Sequence, residues 1–423
     1  MSTKLPEGIP RQHWHCSWPQ LFTARRPFNH RSRETENLPF IEYLVKPSEE
    51  ADEDDGEEYG SNEDGGNEDE IDDEDDVPSD EDEDEDAESC SEQSDVRRFM
   101  IGMVGEVDRL MSRDQLDLVA SFCEESKTET NESEKRKPVA LLDERCMDGT
   151  MSDKRGFYRP YPGPLTCQEL RERLGRKRFR ADPVKDPATH AIEDEQHDAA
   201  RRIVFITDLD SSAIEALVTT VALTQAPALQ NLFYKHLTST ASIGVTIKSH
   251  GFQAFTLEFH IPYYVLRNNQ IPRRDARKKP NGEPLRQFWE LPFLSMPTNS
   301  KPTPTDERYY LYEAMTSVGV TGNDHWIWAA YAFVDTYYDA RESVDSYHQM
   351  KGWRQGRADP LAAGKIDADQ PLWDPRMYFL KVVEIRTELV LMEWSQIMNK
   401  IEREVQQYVW CGGFVSDICA LLH

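Results

Sequence analysis

The sequence predicts an α/β fold: a mixed α+β sheet with flanking helices, one long C-terminal helix after it and a long disordered acidic N-terminal region before it. Three observations on the 423-residue chain carry this reading. A short β-branched run, Ile203-Val-Phe-Ile206, precedes a capping-box pair, Ser212 and Glu215, so a buried strand leads into a helix. Further on, the apolar period changes to two, at 243–261 and again at 310–334, as half-buried strands require. From Pro375 the chain then runs proline-free to its end with apolar residues at helical spacing.

Charge divides the chain. Residues 49–95 hold 28 Asp and Glu with no Lys or Arg, which is nearly all of the formal net charge of −29, so the remainder is close to neutral. With so little apolar surface to bury, the tract is expected to stay disordered. Residues 1–48 are rich in Trp, His, Arg and Pro without a period and take no domain assignment. The stretch Met1 to Pro10 lacks the basic flank and apolar core of a secretory signal, and no window approaches about 18 uninterrupted apolar residues, so membrane insertion is not expected. Seven scattered cysteines without a C-x-x-C pair argue against a disulfide framework or a structural zinc, and point to a reducing intracellular location, cytoplasm or nucleus.

Residues 96–200 read as a helical hairpin, a linker and a basic cluster. Phe99, Met100, Met103, Val104, Val107, Leu110 and Met111 form one helical face, and Ser112 with Gln115 opens a second helix through Leu116, Val119, Ala120 and Phe122. Residues 125–164 are polar and predict no element. A short helix follows over 165–174, ending near Gly175. The main domain spans 201–374. After the first strand, Ile214, Leu217, Val218, Val221 and Leu223 give a helix ending by Pro227. A β-hairpin turns at Ser249-His-Gly251, a proline-rich basic connection covers 270–307, and a second antiparallel pair folds around Gly322-Asn-Asp324. The helix of 375–410 shows Val382, Ile385, Leu389 and Met392 on one stripe, then Trp394, Met398, Ile401, Val405 and Tyr408 on a displaced one, a stutter in heptad phase. Cys411-Gly-Gly413 ends it and opens a tail over 411–423.

The strongest catalytic signal is Asp208-Leu-Asp210 at the end of a strand, the spacing with which haloacid dehalogenase-like phosphatases present a nucleophilic carboxylate beside a general acid. Such chemistry also needs magnesium and a lysine, for which Lys248 and Asp324 are formal candidates, although both fall at hairpin turns. The competing reading is that the two aspartates end a strand and cap the next helix, and it is preferred. Asp335 and Asp339 flank two tyrosines and offer a possible magnesium pair, against the plainer reading as solvated loop carboxylates. His13, His15 and Cys16 lack further partners at zinc spacing, and His260 alternates with apolar residues as a surface or satisfied polar position. Arg176, Lys177, Arg178 and Arg180 form a basic interaction cluster suited to nuclear import, nucleic acid, the chain's own acidic tract or plain solvent. The acidic tract itself reads as a solubilising spacer or a binder of basic, histone-like partners. The aromatic run Trp326, Trp328, Tyr331, Phe333, Tyr337 and Tyr338 lacks neighbouring positive charge, so core filling is expected and nucleic acid is not.

Several segments together resemble a family of uncharacterised filamentous-fungal proteins whose C-terminal portions are described as CorA-like, after the magnesium transporters. They are Ile206-Thr-Asp-Leu-Asp210, Gln225-Ala-Pro-Ala-Leu229, Tyr234-Lys-His-Leu237, Phe259-His-Ile-Pro-Tyr-Tyr264, Trp328-Ala-Ala-Tyr-Ala-Phe-Val-Asp-Thr-Tyr337 and Trp373-Asp-Pro-Arg376. The resemblance implies a cytosolic α/β domain leading into a long helix. A membrane helix pair and the Gly-Met-Asn signature of the transporters are missing from this sequence, so transport by this chain alone is not expected. The expectation is a soluble, non-enzymatic regulatory or protein-interaction module that requires no cofactor and meets a partner, or a second copy, through its C-terminal helix. The alternatives are a magnesium-dependent phosphatase and an acidic chromatin-associated protein.

Overall fold

Every residue of β3 (Arg201–Thr207) and β8 (Trp328–Val334) is buried, because both faces of these strands are covered, and that is why β8 and the 203–206 part of β3 read as continuous apolar runs. In the computed structural model, which describes residues 30–45, 94–102, 112–126, 137–147, 156–159, 163–180, 197–247, 254–295, 308–339, 344 and 358–411, the two strands lie side by side in parallel. They centre an eight-stranded mixed sheet. Outward from β3 come β1 (Ala140–Cys146) and β2 (Phe157–Tyr158). Outward from β8 come β7 (Tyr309–Gly322), β5 (Phe255–Asn268) and β4 (Ser242–Ile247), and β6 (Phe288–Glu290) also pairs with β7. All pairings except β3 with β8 are antiparallel.

Helices cover both faces. On one side lie α1 (His30–Asn37), α2 (Phe40–Val45), α3 (Asp95–Ile101), α4 (Arg113–Ser126), α5 (Cys167–Leu174), α6 (Ser211–Val218) and α7 (Ala226–Leu237). There Phe40, Phe99, Val119, Leu217 and Leu229 share a core with Val204, Ile206 and Phe333 from the sheet. On the other side α8 (Pro375–Cys411) brings Tyr378, Phe379, Val382 and Ile385 onto Ile203, Phe205, Phe259 and Trp328, with Leu361 beside them. Alternate residues of β3 therefore feed two different cores, as the two-residue period of a strand dictates.

Several boundaries differ from the sequence reading. Residues 30–45, left without assignment, form two helices, and Phe40 is a core residue. Asp95, counted in the acidic tract, is the first residue of α3 behind the Ser94 cap. The polar stretch 125–164 contains β1, whose Leu141 and Leu142 face opposite cores around a buried Asp-Glu-Arg sequence that hides the strand from any hydropathy count. Because β1 pairs with β3, the boundary at residue 201 falls between neighbouring strands of one sheet. The first strand-to-helix unit holds, but Asp210 rather than Ser212 caps α6, and that helix ends at Val218. A separate helix, α7, opens with Pro227 in its first turn, the position where proline is tolerated. Met103, Val104, Val107, Leu110 and Met111 lie outside the described residues, as do most of the acidic tract, residues 1–29 and residues 412–423.

No helix among the described residues is long and apolar enough to cross a membrane. The edge strand β4 leaves Ile243, Val245 and Ile247 exposed on the α8 side. An apolar edge of this kind invites strand pairing between molecules. Val245→Lys is expected to raise the concentration at which the protein precipitates while changing stability by no more than about 0.5 kcal/mol, which solubility assays and thermal melts would check.

Candidate functional site

The parallel strands β3 and β8 end together, and the next residues, Asp208 and Asp335, bring two carboxylates to one end of the sheet. Asp208 adopts a left-handed backbone, φ 50°, a conformation that Asp tolerates better than most residues. The bend aims its carboxylate at the loop after β8. Oδ1 accepts from the Thr336 amide at 2.6 Å and the Tyr337 amide at 3.0 Å, and Oδ2 accepts from the Thr336 hydroxyl at 2.9 Å. Asp210 accepts from the Ala213 amide at 2.8 Å and so caps α6. Burial pushes both carboxyls up from the ordinary aspartate range; for Asp208 the nearby Arg277 pulls the other way. Both aspartates thus do the work of a strand terminus and a helix cap.

Asp335 is fully buried and sits at the centre of a charge cluster. Arg286 Nε donates to its Oδ2 at 2.6 Å, and Arg277 Nη1 approaches its Oδ1 at 2.8 Å. Burial alone would raise this carboxyl, but the Arg277 and Arg286 guanidinia outweigh it and hold the group well below the ordinary range. Arg277 also grips Asp275 with two hydrogen bonds of 2.8 and 2.7 Å. Arg286 donates to the carbonyls of His236 at 2.7 Å and Leu237 at 3.2 Å, satisfying the C-terminal end of α7 where a cation also complements the helix dipole. For Asp335 this geometry corrects the preferred reading as a solvated loop carboxylate and gives the magnesium alternative no support. Asp335 is neither solvated nor open to a cation, and Asp339 faces Arg267 at 3.5 Å. No group of three or more metal-ligating side chains occurs among the described residues.

A polar spine runs inward from Asp335. His236 Nε2 faces its Oδ1 at 3.4 Å, His236 Nδ1 meets the Ser317 hydroxyl at 3.0 Å, and His260 Nδ1 meets the same hydroxyl at 3.0 Å. His260 Nε2 then faces Glu258 at 3.5 Å, and Glu258 is bound by Lys235 and by Asn231. The order aspartate, histidine, serine is that of a hydrolytic triad. Ser317, however, is fully buried within β7, and Asp335 is already neutralised by two guanidinia, so there is neither a reachable nucleophile nor a spare carboxylate. One hydroxyl can donate to only one of the two Nδ1 atoms, so at least one of the neutral imidazoles carries its proton on Nδ1 and donates to Ser317.

Burial lowers the protonation of both histidines, that of His236 to about 4, with Asp335 opposing. An unfolded histidine titrates near its ordinary value of about 6.5, so between the two values the unfolded chain binds the extra proton. Stability is therefore complete above the unfolded value and is lost as pH falls toward the folded one. Unfolding free energy in urea should drop by up to about 1.4 kcal/mol per pH unit in this window through His236, with His260 acting in the same direction, and His236→Gln should flatten the slope.

The other predicted positions lie elsewhere. Asp324 is at the opposite end of β8, its carboxylate accepting from the Trp326 and Ile327 amides of its own turn at 2.8 Å each, and Lys248 lies outside the described residues, as do His13, His15 and Cys16. The basic cluster is split. Arg176, Lys177 and Arg180 are exposed, but Arg178 is buried, pairs with Glu36 at 2.9 Å and donates to the carbonyls of Ala199, Ala200 and Trp328. Trp328, Tyr331 and Phe333 fill the core. Sequence reasoning missed Arg277, Arg286, His236 and Ser317; no local period or motif distinguishes them. No protein-family description, curated protein or solved structure matches this chain.

Proposed function

We propose that this chain is a non-enzymatic interaction module that self-associates through its C-terminal helix. The carrying observation is the outward side of α8. Leu391, Trp394, Met398, Ile401 and Val405 recur at alternating intervals of three and four, the heptad spacing of a helix-pairing seam, and four of them are exposed by 63, 41, 60 and 55% while Ile401 is partly buried. Of the earlier stripe, Val382, Ile385 and Leu389 face the chain's own sheet, whereas Met392 is exposed. The stutter between the stripes thus separates a stretch packed on the main core from one whose outward face is exposed, while Ile397 and Ile401 pack against Leu266 and Leu294. The seam includes fewer than three heptads, which suits weak, concentration-dependent pairing. The side chain of Tyr408, the next position, lies outside the described residues.

Kinship with the cytosolic domain of CorA-like transporters belongs to the same proposal, supported by an α/β layer that leads into one long helix. A reducing, intracellular setting is likewise proposed, supported by Cys123, Cys146 and Cys167, which form no disulfide among the described residues. The phosphatase reading lacks support, because Asp208 and Asp210 are occupied by backbone amides and Asp324 is at the far end of the sheet. Addition of millimolar magnesium should accordingly leave the melting temperature unchanged relative to an ionic-strength control.

The seam is tested by Leu391→Glu with Met398→Glu. Both positions are exposed, so the melt should hold, whereas sedimentation velocity should show the self-associated species disappear. Unchanged sedimentation in the double variant would refute the seam.

A further inference from the structure

A cavity of about 660 Å³ lies between the second half of α8 and strands β5 and β7. That size falls within the ~300–1,000 Å³ of small-molecule sites. None of Asp335, His236 and Ser317 lines it, and it is on the inward side of α8, away from the proposed seam. Four cations line it, Arg267, Arg386, Lys400 and Arg403, with Glu393 as the one lining carboxylate.

Two of these cations are answered by carboxylates. Arg267 binds Glu393 through Nη1 at 2.8 Å and Nη2 at 3.0 Å, and Lys400 binds Glu404 at 2.7 Å. Arg403, at the exposed rim, donates to the Asn399 carbonyl at 3.1 Å. Arg386 differs from them all. It is buried, with 5% exposure, its Nε and Nη2 donate to the carbonyls of Leu361 and Pro360 at 2.7 and 2.9 Å, and its guanidinium lies over the Phe205 ring. No carboxylate pairs with it among the described residues. Every other buried arginine described here, Arg145, Arg159, Arg178, Arg201, Arg202, Arg277 and Arg286, meets an aspartate or glutamate. A buried charge without a counter-charge is costly, and a guanidinium with a donor to spare is suited to a planar or tetrahedral oxyanion.

We infer that the cavity is a binding site for a small organic anion, with one carboxylate, sulfonate or phosphate-monoester group against Arg386 and an apolar body against Leu389, Val390 and Tyr263. This site does not depend on the seam. The test is a fluorescence titration of the full chain with the anionic dye anilinonaphthalene sulfonate and its neutral relative phenylnaphthylamine. The anionic dye should bind one saturable site at least tenfold more tightly than the neutral one. Arg386→Gln should remove that preference, Leu389→Trp, which fills the cavity from a half-buried position, should abolish binding of both dyes, and Leu391→Glu on the outer seam should change neither. If Arg386→Gln fails to fold, the dye preference of the wild type together with Leu389→Trp decides. Absence of saturable binding, equal affinity for the two dyes, or retention of the anionic dye by Leu389→Trp or by a folded Arg386→Gln would overturn the inference.

Discussion

Asp335→Asn is expected to cost the fold about 3–5 kcal/mol, the loss typical of breaking a buried ion pair by removing one partner. The substitution keeps the shape, so packing is not at issue, but it removes the charge and turns one acceptor oxygen into a donor that faces a guanidinium. What remains is Arg286, 1% exposed, with only carbonyl and hydroxyl partners, and Arg277, which retains Asp275. Because Arg286 also closes the end of α7, the damage should reach that helix and the strand end of β3 that Asp208 ties to the same loop. In circular dichroism the melting temperature should fall by on the order of ten degrees. Had Asp335 been a solvated or catalytic carboxylate, the same change would leave the melt nearly unmoved.

Arg201→Met should have a comparable effect at the other end of β3. Arg201 is fully buried, donates to Asp143 at 2.7 Å and Asp359 at 2.8 Å, and lies over the adjacent rings of Trp328 and Tyr378 at 5.4 and 5.1 Å. Methionine preserves much of the volume but leaves Asp359 with only the Tyr378 hydroxyl and the Ala362 amide as partners, while Asp143 keeps Arg145. A loss of roughly 3–5 kcal/mol in urea unfolding is expected, and adding Asp359→Asn should recover part of it, because the stranded charge and not the lost contact carries most of the cost. Additive losses in the double variant would refute that division.

The legible parts of the fold were those governed by local rules. Period-two runs located β5, β7 and β8, Pro375 marked the start of α8, and the short helix read over 165–174 with Gly175 after it is α5, which the structure shows to be capped by Thr166 with Glu169. The stutter in α8 was visible as spacing alone and separates two faces with different neighbours. Most of what stayed hidden in the sheet has one physical cause. This sheet buries charge in pairs, so β1 carries Asp143, Glu144 and Arg145 through the interior, β3 opens with two buried arginines, and β5 places Glu258 and His260 beneath α7. Each residue looks like surface by itself, and its partner is far away in sequence: Arg178 with Glu36, Arg201 with Asp359, Arg286 with Asp335. Asp208 and Asp210 do follow the end of β3, as their spacing suggested, and the amides of Thr336 and Ala213 reach their carboxylates.

The most direct test of the interaction-module account is sedimentation equilibrium of the unmodified full chain over a concentration series. The account predicts a weight-average mass that rises from the monomer toward twice that value as concentration increases. A monomer mass at every concentration would contradict it and leave the outward face of α8 without the role assigned to it.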